Sequence, residues 1–338
     1  MLKYKQLLGK NNIESLFGGS FFECLTMPIQ FLGFEQKRIT VPSADGPIEI
    51  ACQIGGSGPA LLLLHGFPQT KAIWHKVGPA LAKNYTVVIP DLRGYGASSK
   101  PNGKDDHSTY SKRSMAADQH ALMKELGHEQ FFLLGHDRGG RVSHRLAMDF
   151  PQSVKRLMVL DISPTLAMYE NTTMQFARGY WHWFFLIQPA PIPEAMIAAN
   201  PEFWLKKHMG RHAGTGIFSA DRWTEYLSAV SDPQCMHAMC EDYRAAASID
   251  LVHDREDRAE GKKLVMPLRV LWGEHGLVEK CFKPIDDWSN ASKSEVTGKA
   301  LACGHYIPEE LPDTLIEEAR TFFSQGVGGE VAVKINKT

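Results

Sequence analysis

The stretch Phe131-Phe132-Leu133-Leu134-Gly135-His136-Asp137-Arg138-Gly139-Gly140-Arg141 sets four consecutive apolar residues before a Gly-x-Asp-x-Gly turn, and the segment from Arg141 to Phe150 that follows has helical periodicity. Four apolar residues without alternation describe a strand buried on both faces. The two glycines allow the chain to reverse sharply from strand into helix, where a side chain beside the turn would collide with its neighbours. A turn of this kind exposes its central residue at the helix N-terminus in a strained backbone geometry, as a nucleophile requires. Asp137 occupies that position.

Outward from this turn, the same kind of apolar run recurs at Leu61 to Leu64, Val87 to Ile89, Leu157 to Leu160 and Leu268 to Leu271, with helix-length segments between. Short buried strands alternating with helices predict an α/β architecture with a mostly parallel sheet. A hairpin precedes it, Glu35 to Val41 and Ile48 to Ile54, joined by the turn-forming Ser43-Ala44-Asp45-Gly46. The connection from Asp161 to Leu268 is far longer than an ordinary crossover and rich in aromatic residues, which predicts an inserted helical subdomain. The chain therefore divides into an N-terminal extension (1–30), a first core segment (31–163), an insertion (164–262), a second core segment (263–325) and a flexible tail (326–338). The charged run Asp254-Arg255-Glu256-Asp257-Arg258 near the end of the insertion reads as a solvated helix end.

Composition narrows the class of function. In 338 residues, 37 Lys and Arg stand against 38 Asp and Glu, so no net field draws the chain to nucleic acid or anionic lipid. No apolar run approaches the roughly 20 residues of a membrane span, and the N-terminal stretch is a poor signal peptide. The six cysteines are scattered without a paired motif, which predicts neither a disulfide framework nor a zinc site and fits a reducing cytoplasm. His208 and His212 have the i,i+4 spacing of a metal helix, but the intervening Glu is missing and Gly210 interrupts it, so no metal is expected.

An aspartate at the turn selects the chemistry. A carboxylate displaces a leaving group from saturated carbon, and the resulting ester is then hydrolysed by an activated water. That points to halides or epoxides and requires no cofactor. Gly304-His305, between the last strand and a C-terminal helix, supplies the general base in the chain order nucleophile, acid, histidine. Two acids qualify to orient it, Asp161 at the end of the Leu157–Leu160 strand and Glu274 just past Leu268–Leu271; Asp161 is favoured. Backbone N–H groups of Arg138 and of Phe67, in the His65-Gly66-Phe67-Pro68 turn, are the candidate oxyanion hole.

From about Phe34 to Ser324 the chain resembles the fluoroacetate (haloacetate) dehalogenase family of the α/β hydrolases. His65-Gly66-Phe67-Pro68-Gln69, Asp91-Leu92-Arg93-Gly94-Tyr95-Gly96, Gly135-His136-Asp137-Arg138-Gly139-Gly140-Arg141, Val159-Leu160-Asp161-Ile162 and Gly304-His305-Tyr306-Ile307-Pro308-Glu309-Glu310 carry the likeness. In the related haloalkane dehalogenases and epoxide hydrolases the residue after the nucleophile is usually Trp, so Arg138 is the discriminating position. The resemblance implies an α/β-hydrolase fold with a helical cap, hydrolytic dehalogenation of a small haloacid, and Arg138 and Arg141 as ligands of the substrate carboxylate. It further implies His182, Trp183 and Tyr243 as the halide-binding groups, and a homodimer would agree with it. A carboxylate attacking a haloacid anion meets a repulsion of about 4 kcal/mol at about 4 Å and an effective dielectric of about 20, which guanidinium groups remove. The competing reading is an epoxide hydrolase, in which Tyr226 and Tyr243 would activate the epoxide oxygen. A non-catalytic ligand receptor on the same fold is the reading from another class, opposed by the complete Asp137, Asp161 and His305 set.

Overall fold

The computed structural model describes residues 30–210 and 214–325. The extension and tail expected at the two ends thus fall outside the described residues, apart from Gln30, and so does His212. Eight strands, β1 (Phe34–Val41), β2 (Ile48–Gly55), β3 (Ala60–Leu64), β4 (Thr86–Pro90), β5 (Phe131–His136), β6 (Val154–Leu160), β7 (Leu268–Gly273) and β8 (Val296–Leu301), form one sheet in the order β1-β2-β4-β3-β5-β6-β7-β8. β2 runs antiparallel to β1 and β4, and every pairing from β4 to β8 is parallel. The expected hairpin is present, with Val41 opposite Ile48 and the Gly46 N–H donating to the Ser43 carbonyl at 3.1 Å.

The unbroken apolar runs have a simple cause. Leu62, Leu64, Leu133 and Val159 enter one buried cluster, while Leu61, Leu63, Phe132, Leu134, Met158 and Leu160 enter another on the opposite face. Successive strand residues point to opposite faces, and helices cover both, so no position is left for a polar residue. β6 begins three residues before its apolar run, because Lys155 is exposed and Arg156 half-buried in its first half.

β3 lies between β4 and β5, so the chain leaving β4 must cross over it to reach β5. A crevice opens at the carboxyl ends of strands at such a switch point. The ends of β3 and β5 carry Phe67 and Asp137. Between β6 and β7, among the described residues, eight helices run from Thr165–Glu170 to Ile249–Ala259. Side chains of this insertion pack over the crevice: His182, Trp204, His208 and Tyr243 each contact the Phe67 ring.

The charged run Asp254 to Arg258 keeps its expected solvated character at Arg255, Glu256 and Arg258, which are exposed, but not at its two aspartates. Asp254 and Asp257 turn inward to the buried Arg145, at 2.7 and 2.5 Å, and tie the insertion to the helix Arg138–Asp149. Their partner lies over a hundred residues away in sequence, so the local charge pattern carries no sign of it.

Candidate active site

Asp137 sits at φ 46° and ψ −115°, a conformation L residues rarely adopt, at the junction between β5 and the helix Arg138–Asp149. Two glycines make the junction possible. A Cβ on Gly139 would strike the carbonyl oxygens of His65 and Leu64, and one on Gly66 would come within 2.6 Å of the Asp137 Cβ. The β3 turn can therefore press against the aspartate, and the Phe67 N–H donates to its Oδ2 at 3.0 Å. Arg138 is the first residue of the helix, so its own N–H has no acceptor within the helix.

Burial pushes the Asp137 carboxyl up, but His305, His136, Arg141 and Arg138 around it outweigh that effect and hold it below the ordinary aspartate value. It is an ionised carboxylate, 7% exposed, in an otherwise closed site. Clefts of about 290 and 440 Å³ elsewhere in the molecule are lined by residues such as His144 and Asp254, or His107 and Glu241, and involve none of these side chains.

The acid left open by the sequence is resolved geometrically. Asp161 Oδ2 lies 2.5 Å from His305 Nδ1, while its Oδ1 accepts the Gly273 N–H at 2.9 Å. Glu274 instead stands 45% exposed, 3.5 Å from His275. With Nδ1–H donating to Asp161, Nε2 is the basic nitrogen of His305. The loop holding His305 is braced by Glu310, whose carboxylate accepts the N–H groups of Gly304 and Tyr306 at 2.7 and 2.9 Å. His136 Nε2–H donates to the His305 carbonyl at 2.9 Å, and burial pushes the His136 imidazole down to about 3, so it stays neutral.

The two arginines are both buried but differently placed. Arg138 donates through Nε and Nη2 to Asp242, with distances of 3.1 and 2.6 Å to the carboxylate and 2.7 Å to the main-chain carbonyl. Its Nη1 has no hydrogen-bond partner, and the guanidinium lies 4.1 Å above the Tyr243 ring. Arg141 contacts only neutral groups: the Ser163 carbonyl, the Thr165 hydroxyl, the Met168 sulfur and the face of Trp183 at 4.6 Å. Its Nε is unpartnered, and burial together with the Arg138 charge pulls its pKa down. Among the described residues no carboxylate lies within salt-bridge distance of this guanidinium, and Asp137 offsets its charge only through space.

The insertion brings the three proposed halide ligands together. His182 lies 5.7 Å and Trp183 6.4 Å from Tyr243, ring centre to ring centre, and the buried Tyr243 hydroxyl has no hydrogen-bond partner. The Tyr226 hydroxyl, the other one that an epoxide hydrolase would call on, is engaged instead, donating to Glu309 at 2.9 Å. Sequence reasoning missed Asp242 and Glu310 as supports. Glu310 had a signal, standing five residues from His305; Asp242 had only its place beside Tyr243.

The family model described as the alpha/beta hydrolase fold matches residues 59–310, which take in β3 to β8, Asp137 and His305. This chain is an α/β hydrolase. A fluoroacetate dehalogenase from Burkholderia sp is 44% identical to this hydrolase over 88% of the chain and 97% of the relative, in agreement with the family resemblance drawn from the motifs. A soluble epoxide hydrolase from Corynebacterium sp. is 32% identical over 80% of the chain and 91% of the relative. Among solved structures, an alpha/beta hydrolase from Nostoc sp PCC 7120 superposes with a TM-score of 0.84 at 46% identity, covering 87% of this hydrolase and 99% of that chain. The hydrolase fold and family are thus shown, and among the described residues no helix is long and apolar enough to cross a membrane.

Proposed function

We propose that this hydrolase removes halide from short haloacids, converting fluoroacetate or chloroacetate to glycolate. The observation that carries the proposal is Arg141, a buried cation that feels the Asp137 charge through space but has no carboxylate of the described residues within salt-bridge distance. A neutral epoxide gives such a group nothing to bind. A haloacid carboxylate supplies the missing anion and is held with its α-carbon toward Asp137.

In the first half-reaction an Asp137 oxygen attacks the α-carbon from the side opposite the halogen. The C–halogen bond breaks, and its electron pair leaves as halide toward His182, Trp183 and Tyr243. The unpartnered Tyr243 hydroxyl suits this role, since a donor already engaged would have to give up a bond to receive the ion. In the second half-reaction His305 Nε2 takes a proton from water as the water oxygen attacks Cγ of the Asp137 ester. The oxyanion that forms is the atom the Phe67 N–H already contacts, with the Arg138 N–H as second donor. Collapse expels the glycolate oxygen, which takes the proton from His305, and leaves Asp137 as a carboxylic acid with one oxygen from water; that remaining water proton is lost through His305 to solvent, restoring the carboxylate. A chiral 2-haloacid leaves with inverted configuration.

Halide and glycolate release from fluoroacetate and chloroacetate tests the proposal, with Asp137→Asn alongside. Equal release of both products by the native protein, lost in Asp137→Asn, is the expected result. Turnover of an epoxide with no halide release from either acid refutes it.

A further inference from the structure

Asp242 lies on the insertion helix Pro233–Ala246, one residue before Tyr243, and is completely buried. Four donors from the core converge on its carboxylate: Arg138 Nε and Nη2, the Tyr95 hydroxyl at 2.6 Å and the Lys112 ammonium. Lys112 is held in turn by Asp250, which accepts the Lys112 N–H at 2.8 Å. The carboxylate occupies one whole edge of the Arg138 guanidinium, Nε and Nη2, and leaves Nη1 as the remaining donor.

This arrangement looks wasteful for an anion-binding site. A negative charge against Arg138 weakens the pull of that cation on a second anion, so affinity alone would favour a neutral residue at 242. What the carboxylate supplies is geometry. A guanidinium free to rotate can grip a carboxylate by any of its edges, whereas one fixed along Nε and Nη2 presents a single nitrogen, Nη1, held in one place. Because displacement at carbon needs the leaving group in line with the attacking oxygen, the orientation of the substrate sets the rate.

Resting on the haloacid reading above, we propose that Asp242 is a positioning residue for the displacement step, clamping Arg138 so that the substrate is aligned for attack while its binding is made weaker than the site could achieve. The same clamp joins the insertion to the elbow helix, so Arg138 takes its working geometry only with the insertion seated and Tyr243 beside it.

The test separates rate from affinity. For Asp242→Asn, the rate constant of chloride release from saturating chloroacetate falls roughly ten- to a hundredfold, while the inhibition constant of acetate, an unreactive carboxylate, stays at or below the native value. Adding Lys112→Met to Asp242→Asn restores the charge balance, returning the acetate constant toward native without recovering the rate. Tyr95→Phe, which keeps every charge and removes one donor, slows release several-fold with acetate binding unchanged, and it decides the question if Asp242→Asn does not fold. An unchanged rate in Asp242→Asn, or acetate binding lost in proportion to rate as a merely loosened site would give, overturns the proposal. Failure of the haloacid reading looks different: the native protein itself then releases no halide.

Discussion

Replacing Arg141 by Met separates what this residue does for substrate from what it does for the fold. The side chain is 3% exposed and its guanidinium hydrogen-bonds or packs only against a carbonyl, a hydroxyl, a sulfur and an indole face, so its charge is buried with no ion-pair partner and only the through-space attraction of Asp137. A thioether fills the space of the arginine's aliphatic stem and needs no solvation, which leaves stability close to unchanged or raises it. Catalysis should suffer heavily. A guanidinium and a substrate carboxylate about 4 Å apart attract by about 4 kcal/mol at an effective dielectric of about 20, and the charge-assisted hydrogen bonds are part of that figure. Allowing that relaxation and water recover half of it, the loss is about 2–4 kcal/mol, or roughly 30- to 1,000-fold in kcat/KM for chloroacetate. Arg138→Met provides the contrast, since it strands Asp242 with Lys112 and should cost about 3–5 kcal/mol of stability. Thermal unfolding beside steady-state chloride release measures both quantities. If Arg141→Met unfolds as readily as Arg138→Met, or retains native kcat/KM for the haloacid, the assignment of an unpaired, substrate-seeking cation is wrong.

Two further outcomes follow from individual side chains. Tyr243→Phe removes a buried hydroxyl that has no partner in the folded protein, so it should leave the melting temperature unchanged or higher while slowing fluoride release about 10- to 100-fold, with a smaller effect on bromide, whose charge is more diffuse; equal slowing for both halides refutes a role in receiving the leaving group. Burial pushes the Glu309 carboxyl up to about 7, so the folded state holds a proton that the unfolded chain releases near the ordinary glutamate value. The stability this group allows is present below about 4.5 and is lost as pH rises through about 7. Relative to the native protein, Glu309→Gln should therefore gain stability across that window, and a difference in melting temperature that stays flat with pH refutes it.

Much of the site was legible because its parts are local. The strand, the glycine turn and the helix around Asp137 are consecutive in the chain, and each glycine is demanded by a close backbone approach that any sequence building this turn must satisfy. The apolar runs revealed the parallel sheet for the same reason, each strand being buried on both faces along its own length. Where a strand carried charge at its open end, as β6 does at Lys155, its start was not visible.

The sequence by itself determined the strand–turn–helix around Asp137 and the α/β layering, and it singled out Asp137 and His305 as the candidates for nucleophile and base, since each follows from residues within a few positions of one another. Only the tertiary structure decided between Asp161 and Glu274, because both end neighbouring strands and just one of them reaches His305. It alone separated the two arginines, pairing Arg138 with an acid 104 residues away and leaving Arg141 without one. It also turned Asp254 and Asp257 inward to Arg145 and gave the Tyr226 hydroxyl to Glu309. The physical reason is the same in kind for all four. A charge or hydroxyl is compatible locally with several partners, and its pairing is fixed only when distant segments, core loops for Asp161 and the insertion for the others, come together and the cost of an unpaired buried group selects one.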